Sequence, residues 1–177
     1  MTHNPLLSFD TKRLALRQFT LDDADFIWRL MNDPDWLRYI GDRGVYDLAS
    51  ARDYIVNGPQ RMYRDHGFGI LKVIAKDTGR EVGACGLLQR PNLQYPDIGF
   101  AFLPEARGKG YARESSLALL KTVADCSLYP NVEALVSPDN QASITLLSSM
   151  GFEFRCALPD FDEGQETHAY RLEIFKE

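Results

Sequence analysis

The sequence has little of what builds metal centres, disulfide frameworks and membrane spans. It holds three cysteines and three histidines in 177 residues. Cys85, Cys126 and Cys156 are odd in number and far apart, and His3, His66 and His168 show no ligand spacing relative to them. Buried free thiols are therefore expected, with neither a disulfide framework nor a metal site. No stretch approaches the ~18 apolar residues of a membrane span, and the opening MTHNPLLSFDTKRL lacks the apolar core, roughly 7 to 15 residues long, of a secretory signal. A cytoplasmic chain with no membrane partner is the expectation. Positive charge is also scarce: 20 Lys and Arg against 25 Asp and Glu give a net charge of -5 and a pI of about 5.2. A broad nucleic-acid surface would work against that field, so any anion site must be local. Neither GxxxxGK followed by Ser or Thr nor GxGxxG occurs, which removes the two common nucleotide-phosphate fingerprints. Internal repeats, low-complexity tracts and Pro/Gly/Ser linkers are absent too. With 45% hydrophobic residues, residues 1–177 read as one domain able to bury most of its apolar surface.

What is present follows an α+β order. RLALRQF (13–19) alternates as a half-buried strand does. Thr20 and Asp23 form a capping-box pattern ahead of an apolar helical face made by Ala24, Ile27, Trp28 and Met31, and Asn32, Asp33 and Pro34 stop that helix. A second helical region runs from Asp47 toward His66, broken or kinked at Gly58-Pro59. FGILKVIA (68–75) and EVGACGLL (81–88) predict a hairpin. DIGFAFL (97–103), a helix from Tyr111 to Cys126 and VEALV (132–136) then predict a parallel strand pair with a right-handed crossover. Asn140 opens a last helix to about Met150, closed by Gly151. GFEFRC and HAYRLEIF supply two final strands around the acidic loop ALPDFDEGQET. The sum is about seven strands and four helices in a mixed sheet.

Between the DIGFAFL strand and the following helix lies RGKGYA, residues 107–112. A helix start leaves its first amides unpaired and carries roughly half a positive charge. Glycines at 108 and 110 let the backbone fold tightly and approach a ligand, while Arg107, Lys109 and Arg113 add cations. Amides, dipole and cations at one point suit a pyrophosphate. A glycine-containing loop with solvated charges is the plainer alternative.

Arg107, Gly110 and Ala112 match the R/Q-x-x-G-x-G/A motif of the GNAT superfamily of N-acetyltransferases, in the same strand-loop-helix setting. SPDNQASITLLSSMGF resembles that family's later signature, an Asn, a helix and then Gly-Phe, here Asn140, Gly151 and Phe152. TKRLALRQFTLDDADFIW resembles the opening of the RimJ/RimL type, so the likeness covers nearly the whole chain. It implies a GNAT-like, mostly antiparallel sheet whose parallel strands splay at an acetyl-CoA site, with no metal. Phe102 and Leu103 would offer backbone groups to the pantetheine arm. Arg107, Gly108, Lys109, Gly110, Tyr111 and Ala112 would hold the pyrophosphate, Arg113 the adenine-side phosphate, and Asn140 would sit beside the pantetheine. Asn140 as a plain helix N-cap is compatible with that role.

Acetyl transfer to an amine requires a neutral nucleophile and a departing thiolate. Asp97 matches the place where several GNAT enzymes have a carboxylate base; Glu81, at the preceding strand's start, is a poorer candidate. Many relatives have a tyrosine acid seven residues after the signature Asn, and here that residue is Leu147. Ser143 matches a serine proposed for the role in RimL-like enzymes, or else belongs to the helix start. The implied partners are acetyl-CoA and an amine acceptor: a protein N-terminal α-amine, as for RimJ/RimL, or a small molecule such as a polyamine, aminoglycoside or amino acid. A non-catalytic acyl-CoA-binding module is the rival reading. The acidic segment with Asp160, Asp162, Glu163 and Glu166 is either a solvated turn or a field that gathers cationic acceptors. Trp36, Tyr39 and Tyr46 either line the acceptor entrance or pack the core. Nothing in the sequence specifies an oligomeric state.

Overall fold

The computed structural model describes residues 4–162 and 165–175, and within them not the side chains of Asp160, Asp162 and Gln165. In chain order the elements are β1 (Phe9–Asp10), β2 (Leu14–Arg17), α1 (Ala24–Met31), α2 (Pro34–Tyr39), α3 (Leu48–Ile55), α4 (Arg61–His66), β3 (Ile70–Ala75), β4 (Arg80–Leu88), β5 (Asp97–Phe102), α5 (Tyr111–Asp125), β6 (Asn131–Val136), α6 (Gln141–Ser149), β7 (Glu153–Asp162) and β8 (Gln165–Glu173). They form one eight-stranded sheet in the order β1-β2-β3-β4-β5-β6-β8-β7. Every neighbouring pair is antiparallel except β5 and β6.

The α+β reading holds, with one strand more than expected and, counting α3 and α4 as the one kinked helical region, one helix more. The extra strand, β1, is two residues long and carries no period that a sequence can display. The extra helix is α2. Asp33 and Pro34 do stop α1, but the Asp33 carboxylate also accepts from the amides of Asp35 (3.1 Å) and Trp36 (3.3 Å), and Pro34 fills the first helical position. A stop signal for one helix is thus the start signal of the next. The kink expected at Gly58-Pro59 is a π-helical stretch, Val56–Gln60, between α3 and α4. The supposed acidic loop is mostly strand: β7 continues to Asp162 and β8 begins at Gln165.

Alternation along β5 divides two cores. Ile98 and Phe102 pack with Leu119, Leu120 and Val123 of α5 and with Leu147 and Met150 of α6. On the opposite face Ala101 and Ala84 meet Phe26, Ile27 and Leu30 of α1 and Ala51 and Ile55 of α3. The α1 start is anchored by Asp23, whose carboxylate accepts from the Thr20 amide at 2.7 Å and pairs with Lys72 of β3 at 2.5 Å. The thiols are free, as expected, but only Cys85 is buried. Cys126 caps the exposed end of α5 and Cys156 lies on the outermost strand, so neither has a layer to cover it.

Where β5 and β6 run parallel, their ladder registers Asp97 with Glu133 alone. Beyond that pair the two strands part. A cleft opens there between α5 and α6 on one side and α2 and α3 on the other. No helix among the described residues is long and apolar enough to cross a membrane.

Candidate active site

Two cavities occupy the cleft, about 620 Å3 and about 370 Å3. They share a wall made by Trp36, Tyr39 and Ile40 of α2, Phe100 and Ala101 of β5, and Asn140 and Ser143 at the start of α6.

The larger cavity is built on the RGKGYA loop. Gly108 and Gly110 have φ of +73° and +77°, a conformation that L side chains rarely adopt, and Gly110 N-caps α5. Around Gly108 there is open space: a Cβ there would meet nothing within 4 Å. Tyr111, Ala112 and Arg113 continue the lining, so the first turn of a 15-residue helix faces the cavity. Lys109 is exposed beside it. These groups fit a doubly charged phosphate chain: unpaired amides, a helix dipole and cations on one side, with no acid in the loop. The loop is itself held by Arg13 of the TKRL opening, which donates to the Lys109 carbonyl at 2.8 Å, stacks on Tyr111 at 4.9 Å and pairs with Glu114 at 2.6 Å.

One expectation for this cavity needs correction. The Arg107 side chain does not point to the phosphate position. It pairs with Asp33 and, at 2.7 Å, with Asp35, and its Nε donates to the Phe102 carbonyl at 3.0 Å. Arg107 therefore fastens the loop to the N-terminus of α2, and its amide donates to the Pro104 carbonyl at 3.2 Å, so the anion site is left to the residues from Gly108 onward. Of the backbone groups expected to be open at Phe102 and Leu103, the Phe102 carbonyl accepts from Arg107 and the Leu103 amide donates to the Val82 carbonyl at 3.0 Å. The β5 edge that lacks a ladder partner on β6 runs from Ile98 through Phe102.

Asn140 is the N-cap of α6: its Oδ1 accepts from the Ser143 amide at 3.1 Å. The Ser143 hydroxyl makes no hydrogen bond among the described residues, and the residue lines both cavities. Leu147, where a tyrosine acid would stand, is a buried core residue against the smaller cavity.

Asp97 lies in the smaller cavity and is 2% exposed. Its Oδ1 accepts from Arg90 Nε at 3.0 Å, and Glu133 beside it pairs with Arg171 at 2.6 Å. Burial pushes the Asp97 carboxyl above its ordinary range, and Arg90 only partly opposes this. A carboxylate moved upward in this way is a better proton acceptor near neutrality than a solvated one. Glu81 lines neither cavity. Trp36 and Tyr39 do line the cleft, whereas Tyr46 is 67% exposed and donates to Asp42 at 2.7 Å. From the acidic hairpin, Phe161, Glu166 and Thr167 reach the smaller cavity. Glu166 sits 2.9 Å from His168. Glu163 and the side chains of Asp160 and Asp162 lie outside the described residues.

Sequence reasoning missed Arg13, Asp33, Tyr54, Arg90 and Glu133. Arg107 and Asp33 are 74 residues apart, and Arg13 and Glu114 are 101 apart. No local pattern signals such pairs. Tyr54, on α3, faces the smaller cavity with its hydroxyl pushed upward by burial.

Residues 13–153 match the family model described as an acetyltransferase (GNAT) domain. The chain is 30% identical over 172 residues to the uncharacterized N-acetyltransferase p20 of Bacillus licheniformis, covering 94% of each. Among solved structures, an acetyltransferase from Agrobacterium tumefaciens superposes with a TM-score of 0.78 at 25% identity, over 94% of each chain. RimL, a ribosomal α-N-protein acetyltransferase solved with coenzyme A, gives 0.78 at 16% identity, over 92% of this chain and 95% of its own, and there the likeness is one of fold. With the motif, the splayed strands and the match over residues 13–153 in agreement, the chain belongs to the GNAT acetyltransferase family.

Proposed function

We propose that the protein moves the acetyl group of acetyl-CoA directly to a primary amine, the protein N-terminal α-amine being the type case, in the cytoplasm. The observation that carries this reading is the pair of cavities meeting at Asn140 and Ser143. The larger has the anion-binding loop for the cofactor's pyrophosphate, with Arg113 near the adenine-side phosphate. The smaller admits an amine from the other side, and acetyl-CoA supplies the acyl group as a thioester at their junction.

Direct transfer follows from what lines the cleft. Among the described residues neither cavity presents a cysteine. Cys85 sits in the core, its thiol pushed up to about 11 by burial. Without a thiolate to carry the acetyl group, amine and acetyl-CoA must be bound together. The amine must also be neutral. An α-amine with pKa near 7.7 to 8.0 is about a tenth neutral at pH 7, a lysine near 10.4 only about once in several thousand. Asp97 accepts the remaining proton. Release of CoA thiol from acetyl-CoA in the presence of α-amines, with intersecting initial-rate lines, is the expected result. Binding of acetyl-CoA with no amine-dependent release would make the protein a non-catalytic acyl-CoA module.

Ser143 is the one hydroxyl at the junction on α6, yet its proton is not essential, because a thiol of pKa ~8.5 leaves readily as thiolate. Ser143→Ala should lower kcat less than about tenfold. A loss beyond a hundredfold would show that the hydroxyl supplies the proton.

A further inference from the structure

Resting on the acetyl-transfer reading, we propose that the acceptor is a monoamine carrying a bulky apolar or aromatic group, which the smaller cavity holds while the amine points to the junction at Ser143. Three features of that cavity agree.

The first is deliberate room. Its floor is laid by Ala84, Gly99 and Ala101, and the β4–β5 register sets Ala84 opposite Ala101 and Gly86 opposite Gly99. Small residues on two central strands leave the space that side chains of ordinary strand residues would fill. Over Gly99 that space is taken by the Leu88 and Ile70 side chains, which would lie 3.0 Å and 3.3 Å from an added Cβ, so these two wall residues rest directly on the floor.

The second is the walls. Trp36, Tyr39, Tyr54, Ile70, Leu88 and Phe161 come from five different elements. Trp36, Tyr54 and Ile70 are only partly buried against the second core, and what they leave uncovered faces this space. A cavity of about 370 Å3 with such walls suits an apolar group of ring size.

The third is charge. Among the described lining residues the acids are Asp97, which pairs with Arg90 at 3.0 Å, and Glu166, which is exposed at the rim and hydrogen-bonded to His168 at 2.9 Å. The second ammonium of a polyamine would have to leave water for the apolar walls, where a charge is costly to bury. This differs from the steering of cationic acceptors envisaged for the acidic segment.

The same chemistry occurs in a free arylalkylamine and in a peptide whose first residue is large and apolar. The test therefore measures kcat/KM on the native chain for 2-phenylethylamine, a tetrapeptide beginning with Phe, the same peptide beginning with Ser, and spermidine. At least one of the first two should exceed both of the others by tenfold or more, since each apolar group placed in a fitted pocket is worth ~10- to 200-fold. Which of the two leads identifies the source. Spermidine or the Ser peptide performing equally well overturns the proposal and leaves acetyl transfer intact. Acetyl-CoA binding with no release from any amine overturns both. A second arm narrows the cavity with Leu88→Trp. The ratio of phenylethylamine to glycinamide turnover should fall at least tenfold, with acetyl-CoA affinity within twofold of native; an unchanged ratio also overturns the proposal.

Discussion

Gly110→Glu is expected to weaken acetyl-CoA binding by more than a hundredfold. Gly110 has φ of +77°, N-caps α5 and lies in the wall of the larger cavity. A side chain there carries strain of ~1–2 kcal/mol from the left-handed backbone alone, and its Cβ would stand 3.4 Å from Arg13 Nη2. The glutamate also sets a negative charge against the helix end that has to receive a pyrophosphate. The two effects separate by experiment. Backbone strain lowers the melting temperature of the free protein by ~2–4 °C per kcal/mol in a chain of this size. Ligand linkage stabilises the native protein by ~2.7 kcal/mol at a hundredfold excess over Kd. The variant should therefore melt somewhat lower and show no further rise on adding acetyl-CoA. Gly110→Asn, whose side chain tolerates this φ, should keep most of the rise. If Gly110→Glu is still stabilised by acetyl-CoA, the pyrophosphate is held elsewhere.

Asp97→Asn is expected to lower kcat/KM roughly a hundredfold at pH 7 and less than about tenfold at pH 9, within the range that general bases contribute. The sign follows from the geometry. Burial raises the Asp97 carboxyl while Arg90 opposes the shift, so the ionised form, the one able to accept a proton, is lost as pH falls through that raised value. At pH 9 an α-amine is already mostly neutral and needs no acceptor. Equal losses at both pH values would show that Asp97 positions Arg90 and the cavity floor without exchanging a proton. Because the substitution removes the charge that Arg90 faces at 3.0 Å, the melting temperature and acetyl-CoA affinity of the variant accompany the rates. A fall in acetyl-CoA affinity equal to the fall in kcat/KM would assign the loss to structure.

Much of the cofactor side was readable because its determinants are contiguous. RGKGYA combines two glycines, two cations and a helix start within six residues, and the structure gives both glycines positive φ and begins α5 at Tyr111. The strand DIGFAF and the N-cap Asn140 follow the same logic of short range. Reading fails where one local signal serves two purposes or where the partner is distant. Asp33-Pro34 ends α1 and starts α2, and the local pattern displays only the first half of that message. The stretch ALPDFDEGQET is rich in residues that favour turns, yet pairing with β8 carries β7 through to Asp162. Tertiary context overrode propensity there, as it commonly does in strands. Arg107 shows the second kind of failure. Its place in the motif suggests a phosphate ligand, and the buried Asp33 and the exposed Asp35 claim its guanidinium instead.

By itself the sequence determined the α+β order, the crossover unit and the phosphate loop, since each depends on periodicity, caps and glycine conformations encoded within a few residues of one another. The tertiary structure alone decided that the first turn of α5 and the start of α6 face one cleft, that α2 closes it, and that a second cavity adjoins the first. Those relations depend on where β5 and β6 part, and parting is a property of two strands that are distant in the chain and joined through α5. The raised carboxyl of Asp97 has the same origin. Desolvation arises from the residues that surround a group in space, and no neighbour in the chain could have announced it.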